Sequence, residues 1–305
     1  MSKIANNVTE LVGNTPLVRI NTFGEGATIL AKAEFLNPGH SIKDRVALNM
    51  IKTAFADGRL NKNSVIIEPT SGNTGVGLAM IGAQMGLKVI LTMPSSMSVE
   101  RQKLLRAFGA TLVLTDPKYG MKGAVDKANE LAAQNENSFI AGQFENPANP
   151  EAHRATTARE IWEQTDGNVD IVVAGFGTGG TISGIASELK KYNSNLKVVA
   201  VEPAASPLLT KGVAGPHAIQ GIGANFVPAN LDKNIIDEFM AIANDDATAS
   251  AKKLAQKEGL LVGISAGANV FAASLLAARP QNAGKVIVTV LPDTGERYLS
   301  TGIYD

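Results

Sequence analysis

The chain has 305 residues, with 28 basic and 28 acidic side chains and no cysteine. The balanced charge argues against a protein that binds nucleic acid or an anionic membrane, and the absence of cysteine excludes disulfides, thiolate metal sites and cysteine nucleophiles. Hydrophobic residues make up 45% of the chain and charged residues 18%. These proportions are ordinary for a globular protein of about two domains and do not fit a disordered chain.

The sequence carries no signal for a membrane or a metal. No apolar run approaches the ~18 residues of a membrane span, and the first ten residues lack the apolar core of a signal peptide. We therefore expect a cytoplasmic protein. With only His40, His153 and His217 available, we also expect no metal centre.

The first half of the chain alternates short apolar runs with helical patterns. Gly86 and Gly109 are placed to end helices, and Ser98 is placed to begin one. Strands are predicted at 64–68, 88–93, 111–115 and 139–141, with helices at 74–85, 99–108 and 121–134.

The second half repeats this alternation. Strands are predicted at 170–174, 197–202 and 285–291, with helices at 181–192, 266–278 and, capped by Asp245, up to 257. The strands are continuous apolar runs, as expected when both faces of a sheet are covered. The pattern predicts an α/β protein with mainly parallel sheets, and the segment 143–150, rich in proline and asparagine, is the predicted crossing between two domains.

Three loops carry residues suited to chemistry. The first, 68–75, places hydroxyls, an amide and glycines at a helix N-terminus, where free N–H groups favour an anion. An ordinary capped turn remains an alternative for this loop. In open α/β sheets, ligands bind beyond the carboxyl ends of the strands, which is where this loop lies.

The second loop, Gly175 to Thr181, is rich in glycine and threonine and joins a strand to a helix. Glycines let backbone N–H groups converge on a phosphate. Gly175, Gly177 and Gly180 also satisfy G-x-G-x-x-G, and Glu202 ends the next strand, where a ribose-binding acid is expected. A dinucleotide-binding oxidoreductase is therefore a rival interpretation.

The third loop, 37–45, opens a helix with Lys43 in its first turn. A cation is disfavoured there by the helix dipole. A lysine whose pKa is depressed, or whose amine is bound covalently, suits Schiff-base chemistry. A surface lysine is the plain alternative.

Six motifs in order resemble one family along essentially the whole chain. SIKDR, TSGNTG, GTGGT, GIGA, GISAGA and LPDTGERYLST resemble the cysteine synthases, or O-acetylserine sulfhydrylases. These are pyridoxal-phosphate (PLP) enzymes of fold type II, the β-family typified by the tryptophan synthase β subunit. The resemblance implies two doubly wound, mainly parallel α/β domains with PLP in the cleft between them.

The resemblance also implies domain boundaries. Residues 1–12 and 35–145 would form an N-terminal domain, with a mobile segment at about 94–131. Residues 13–34 and 146–305 would form the C-terminal domain.

The resemblance assigns roles to individual residues. Lys43 would form the Schiff base with PLP, Asn73 would bind the 3′ oxygen of PLP, and Ser265 its pyridine nitrogen. The residues implied to bind the cofactor are Lys43, Asn73, Gly177, Thr178, Gly179, Gly180, Thr181 and Ser265. The residues implied to bind the substrate are Thr70, Ser71, Asn73, Thr74, Gln143 and Gly221.

The implied reaction is a β-replacement by a transferase. O-acetyl-L-serine and sulfide would give L-cysteine and acetate through an α-aminoacrylate intermediate, with Lys43 moving the Cα proton. The resemblance further implies a homodimer and a possible complex with the C-terminal tail of serine acetyltransferase. A cystathionine β-synthase or a serine dehydratase of the same fold remains an alternative. His40 departs from the small residue that many family members have at this position.

Overall fold

A computed structural model describes residues 4–305 of the chain. The chain divides into two compact units, one made of residues 4–12 and Asn37–Asn149, the other of Gly13–Leu36 and Pro150–Asp305. The described strands, in chain order, are β1 (Leu17–Ile20), β2 (Thr28–Ala33), β3 (Val65–Pro69), β4 (Lys88–Pro94), β5 (Thr111–Thr115), β6 (Ser138–Ile140), β7 (Ile171–Gly175), β8 (Lys197–Pro203), β9 (Glu238–Ile242) and β10 (Val286–Leu291).

Helices alternate with most of these strands. In chain order they are α1 (Lys43–Ala56), α2 (Asn73–Met85), α3 (Val99–Ala107), α4 (Gly120–Ala133), α5 (Ala148–Ala152), α6 (Ala158–Gln164), α7 (Gly180–Tyr192), α8 (Leu208–Lys211), α9 (Asn244–Lys253) and α10 (Ile264–Ala277). Two π-helical turns, His153–Thr157 and Leu254–Glu258, continue α5 and α9. None of the helices within residues 4–305 combines the length and apolar character that a bilayer crossing requires.

The first unit contains a parallel sheet of four strands in the order β5-β4-β3-β6. Its central strand β3 is buried from Val65 to Glu68. The core beneath it gathers apolar residues from α1, α2 and β4, among them Met50, Leu78 and Leu91, none of which is exposed. The loop after β3 and the turn after β6 therefore lie at the same edge of this sheet.

The second unit contains a sheet of six strands in the order β1-β2-β10-β7-β8-β9. Only β1 pairs antiparallel, with β2, and the other pairs are parallel. β7, β8 and β10 are almost wholly buried, as their unbroken apolar sequences predict. The predicted α/β class with mainly parallel sheets is confirmed.

Several element ends follow from single residues. Gly86 adopts a left-handed φ of 70° and closes α2, as predicted. The side chain of Ser98 accepts a hydrogen bond from the backbone N–H of Arg101 at the start of α3, also as predicted. The prediction for Asp245 is wrong, because α9 already begins at Asn244 after Ala243 and Asp245 lies in its first turn, where its charge favours the helix dipole.

Candidate active site

The predicted site residues fall into two groups, one in each unit. Residues of the first unit are Lys43, Thr70, Ser71, Asn73, Thr74 and Gln143. Residues of the second unit are Gly177, Thr178, Gly179, Gly180, Thr181, Gly221 and Ser265.

Lys43 is the first residue of α1 and is half-buried. Its backbone N–H donates to Oγ of Ser41 at 3.2 Å. Its carbonyl oxygen lies 3.1 Å from where a Cβ atom would stand on Gly77 of α2. The absence of a side chain at position 77 thus lets the first turn of α1 approach α2 closely. Lys43 therefore lies at the N-terminus of a helix, as the sequence predicts.

The loop after β3 opens α2 without a side-chain cap. Gly72 is the N-cap and supplies no side chain that could cap the helix. Oγ1 of Thr70 instead accepts from the backbone N–H of Gly72 at 3.2 Å. The N–H groups that begin α2 therefore face the loop that carries Thr70, Ser71 and Asn73, as in an anion-binding helix start.

Thr74 and Gln143 are brought together by the topology of the first sheet. The hydroxyl of Thr74 donates to Oε1 of Gln143 at 2.6 Å, and both side chains are buried. Thr74 follows β3, and Gln143 follows β6, which pairs with β3. The two predicted carboxylate-binding positions thus form one connected group.

Glu68, which received no role from the sequence, supports this group. Its carboxylate accepts the backbone N–H of Gly142 at 2.8 Å and that of Gln143 at 3.3 Å. Burial raises the pKa of the Glu68 carboxyl to about 7, although these hydrogen bonds lower it, and the nearby charge of Glu145 raises it further. In the sequence, its position at the end of a predicted strand could have marked Glu68 as a site residue.

The glycine-threonine loop of the second unit leads from β7 into α7. Gly179 is the N-cap of α7 with a left-handed φ of 80°, and no side chain caps the helix. Backbone N–H groups at this end are thus available to an anion. The loop begins at Gly175, whose N–H donates to Oδ1 of Asn269 at 2.7 Å. Asn269, also missed in the sequence, donates in turn to the carbonyl of Val290 at 2.8 Å and so ties β7 to β10.

His153 contacts the same loop from the π-helical turn. Its Nε2 lies 3.2 Å from Oγ1 of Thr181, and its Nδ1 lies 3.0 Å from Oγ1 of Thr157. The imidazole is fully buried. Because each ring nitrogen has a hydroxyl partner, His153 fixes the orientation of the Thr181 hydroxyl.

Gly221 connects the loop to the start of α10. Its carbonyl oxygen lies against Gly177, so closely that a Cβ atom at position 177 would overlap it. A Cβ atom on Gly221 itself, whose φ is 96°, would lie 3.5 Å from Oγ of Ser265. Ser265 is 2% exposed, in the first turn of α10. The helix starts two residues before the predicted position, so Ser265 lies inside it.

Glu202 does not serve as a ribose-binding acid. Its two carboxylate oxygens accept the backbone N–H groups of Leu209 and Thr210, each at 2.9 Å, and one also accepts the Thr210 hydroxyl. It therefore caps the short helix α8. The formal G-x-G-x-x-G match thus lacks its acidic partner, which argues against the dinucleotide interpretation.

The donor sets of the two units suit PLP. An uncapped helix N-terminus with threonine hydroxyls beside it matches a phosphate, and a buried serine hydroxyl matches a pyridine nitrogen. A lysine amine matches an aldehyde carbon.

Comparison with known proteins agrees with this chemistry. The chain is 55% identical to cysteine synthase B of Campylobacter jejuni subsp. jejuni, over 99% of each chain. It is 45% identical to a cysteine synthase of Entamoeba histolytica, covering 99% of this chain and 91% of that one with a TM-score of 0.96. An O-acetylserine-dependent cystathionine β-synthase of Helicobacter pylori is 39% identical, with a TM-score of 0.93 over 99% of this chain and 100% of that one.

These similarities confirm the resemblance to cysteine synthases that the motifs indicated. The sequence profile described as "pyridoxal-phosphate dependent enzyme" matches residues 8–293. The chain therefore belongs to the family of pyridoxal-phosphate-dependent enzymes.

Proposed function

We propose that this protein is a transferase that makes L-cysteine and acetate from O-acetyl-L-serine and sulfide. The observation that carries the proposal is 55% identity to a cysteine synthase over 99% of both chains. The match covers 302 residues of this chain.

We infer that the predicted residues bind PLP and its substrate, as the family resemblance implies. The amine of Lys43 would bond to the cofactor, and Asn73 would hydrogen-bond its 3′ oxygen. Residues 177–181 would bind its phosphate, with Thr181 oriented by His153. Ser265 would hydrogen-bond the pyridine nitrogen, and a hydroxyl there does not favour a protonated ring as a carboxylate would.

PLP, when bound, withdraws electrons and so stabilises negative charge at the substrate Cα. In the proposed reaction the amine of the substrate takes the place of Lys43 on the cofactor, and the freed amine of Lys43 accepts the Cα proton as acetate leaves from Cβ. Sulfide then forms the new Cβ–S bond, and Lys43 returns a proton to Cα. Thr70, Ser71, Asn73, Thr74 and Gln143 would bind the substrate carboxylate throughout, and Gly221 would leave room beside the substrate.

The proposed reaction differs from its main alternative in the nucleophile that forms the new bond to Cβ. The Helicobacter pylori neighbour is an O-acetylserine-dependent cystathionine β-synthase, so homocysteine in place of sulfide is the second candidate. The greater identity to the cysteine synthases, 55% against 39%, favours sulfide. The segment Gly221 to Pro228 contains no arginine or lysine, which favours the neutral acetyl leaving group over a phosphate.

The assembly of the enzyme is also a proposal. We infer a homodimer, docking of the C-terminal tail of serine acetyltransferase, and closure of the segment 94–131 over the substrate. A cytoplasmic location stays a prediction. These inferences have the family resemblance as their support.

Lys43→Ala tests the proposal, with Lys52→Ala as its control, because Lys52 is an exposed residue of the same helix. Cysteine formation from O-acetylserine and sulfide should fall by at least about a thousandfold in Lys43→Ala and stay unchanged in Lys52→Ala. Sulfide should also give faster turnover than homocysteine. Retained activity in Lys43→Ala contradicts the mechanism, and faster turnover with homocysteine contradicts the substrate assignment.

A further inference from the structure

The order of strands in the second sheet changes direction between β7 and β10. From β7 the chain continues outward through β8 to β9 and then returns to β10, which lies on the opposite side of β7. Because crossovers between parallel strands are right-handed, α7 and α10 cover opposite faces of this sheet. Such a change of direction leaves a crevice beyond the carboxyl ends of the two strands, and ligands bind there in open α/β sheets.

Side chains replace backbone pairing where β7 approaches this crevice. Within residues 4–305, β7 pairs with β10 at Ile171 and Val172, whereas its pairing with β8 continues to Gly175. Further along β7, the carbonyl of Val173 accepts the hydroxyl of Thr289 at 2.8 Å. The carboxyl end of β7 is therefore held toward β10 by side-chain hydrogen bonds.

Asn269 makes the bridge at the first residue of the glycine-threonine loop. Its Oδ1 accepts the N–H of Gly175 at 2.7 Å, and its Nδ2 donates to the carbonyl of Val290 at 2.8 Å. The N–H group can only donate and the carbonyl can only accept, so these partners fix the orientation of the amide. The side chain is 1% exposed, so both hydrogen bonds are shielded from water.

Asn269 and Ser265 lie about one turn apart on α10. The start of this helix is held at the carboxyl end of β10, because the N–H of Gly263 donates to the carbonyl of Asp293 at 3.0 Å. A single helix thus carries the hydroxyl that is predicted to bind the pyridine nitrogen and the amide that holds the predicted phosphate loop.

We propose that Asn269 is a positioning residue that sets the distance between the phosphate-binding loop and Ser265. The ring of PLP is rigid and its phosphate arm is short, so both ends bind together only when these two elements are correctly spaced. Asn269 would not touch the cofactor itself. This inference rests on the proposed function, in which Ser265 and residues 177–181 bind opposite ends of PLP.

Asn269→Ala removes both hydrogen bonds and tests this role in combination with Ser265→Ala. The measurement is the dissociation constant of PLP, obtained by equilibrium dialysis of protein loaded with PLP. Each single variant should raise this constant about fivefold, which corresponds to one lost hydrogen bond. The double variant should also show a rise of about fivefold, because Asn269 acts through a contact that Ser265→Ala has already removed.

Thr289→Val is the matched control. Thr289 is fully buried and also bonds β10 to β7, but its partner Val173 lies before the loop. Valine keeps the shape of the side chain and removes one hydrogen bond, so urea unfolding should show a loss of stability. The dissociation constant of PLP should nevertheless stay within about twofold of that of the unmodified protein.

Asn269→Leu provides a second variant if Asn269→Ala does not fold. Leucine has a similar size, so it removes both hydrogen bonds without leaving a large cavity. We expect the same rise of about fivefold in the dissociation constant of PLP, and again no further rise when Ser265→Ala is added.

Three results would overturn the inference. The first is a dissociation constant for Asn269→Ala within about twofold of that of the unmodified protein. The second is a rise of about twenty-fivefold in the double variant, as two independent losses predict. The third is a loss of PLP affinity in Thr289→Val equal to that in Asn269→Ala, because the effect would then follow from stability alone.

Ser265→Ala by itself tests the proposed function on which this inference rests. An unchanged PLP affinity in that variant refutes the role given to Ser265, and the inference with it. A clear loss in Ser265→Ala combined with additive losses in the double variant refutes the inference alone. The two failures are therefore distinguishable.

Discussion

Gly179 packs directly against the backbone of Leu231. A Cβ atom on Gly179 would lie 2.7 Å from the backbone nitrogen of Leu231 and 2.8 Å from its Cα. Gly179 also has a φ of 80°, which side chains disfavour. Both the close packing against Leu231 and the positive φ therefore favour glycine at position 179, where α7 begins and a phosphate is proposed to bind.

Gly179→Ala should destabilise the protein and weaken PLP binding. The left-handed conformation alone costs about 1–2 kcal/mol, and the clash with Leu231 requires a backbone shift of the loop. Gly212→Ala is the control, because Gly212 has a φ of 70° with nothing within 4 Å of its added Cβ. Urea unfolding and PLP content after dialysis measure the difference. Equal losses in both variants would refute the steric part of this prediction.

His40→Gly should stabilise the protein. His40 is exposed and has a φ of 59°, a conformation that glycine adopts without strain. We expect a gain of about 0.5–1 kcal/mol in the free energy of unfolding. His40→Ala keeps a Cβ atom and should give no gain. A loss of stability in His40→Gly would show that the imidazole makes a contribution larger than the strain.

Glu238 should make stability depend on acid pH. Arg279 donates two hydrogen bonds to its carboxylate, at 2.6 and 2.8 Å, and Lys197 lies at 2.8 Å. The Arg279 hydrogen bonds, with those of Lys197, lower the pKa of Glu238 to about 2 from its ordinary 4.5. The ionised form is thus favoured by folding, so its stabilisation is complete above pH 4.5 and is lost as the pH falls toward 2.

Glu238→Gln should therefore cost about 1–2 kcal/mol at pH 7, allowing for partial exposure, and nothing near pH 2. Urea unfolding at several pH values measures this difference. Asp57→Asn, which breaks the exposed pair with Arg59, is the control and should have little effect at either pH. A cost for Glu238→Gln that does not change with pH would contradict the assignment.

Glu160→Gln should lower the free energy of unfolding, because it removes the carboxylate that balances the charge of a buried lysine. Lys32 is fully buried, and its ammonium lies 2.7 Å from Oε2 of Glu160. Removing the partner's charge should cost about 3 kcal/mol of unfolding free energy. Adding Lys32→Met to Glu160→Gln should recover part of that loss, because no unbalanced charge then remains. A double variant less stable than Glu160→Gln would contradict this explanation.

The sequence predicted most of the parallel strands and several helix ends, because their signals are local. Strands such as β7 are unbroken apolar runs, and Ser98 caps the helix that follows it. Glu202 shows that local sequence signals do not reveal which partners a side chain finds in the folded protein. Its spacing fits a ribose-binding acid, but its acceptors are taken by Leu209 and Thr210, a competition that spacing cannot reveal.

Residues that act through tertiary contacts were missed for the same reason. Asn269 lies on an apolar helix. Its structural role becomes visible only in its hydrogen bonds with Gly175 and Val290, which belong to two different strands. β1, β2 and β9 were also not predicted. The buried Lys32 interrupts the apolar pattern of β2, and its partner Glu160 lies far along the chain.

The pairing of β2 with β10 bears on how the chain is made. β2 lies between its hairpin partner β1 and β10, which lies far along the chain at residues 286–291. A nascent chain emerging from the ribosome would therefore carry β2 with one open edge until β10 has been synthesised. Asn37–Asn149, by contrast, contains all four strands of its own sheet. Closure of the six-stranded sheet is thus expected to be a late event in biogenesis, during which β2 is the edge most in need of protection from aggregation.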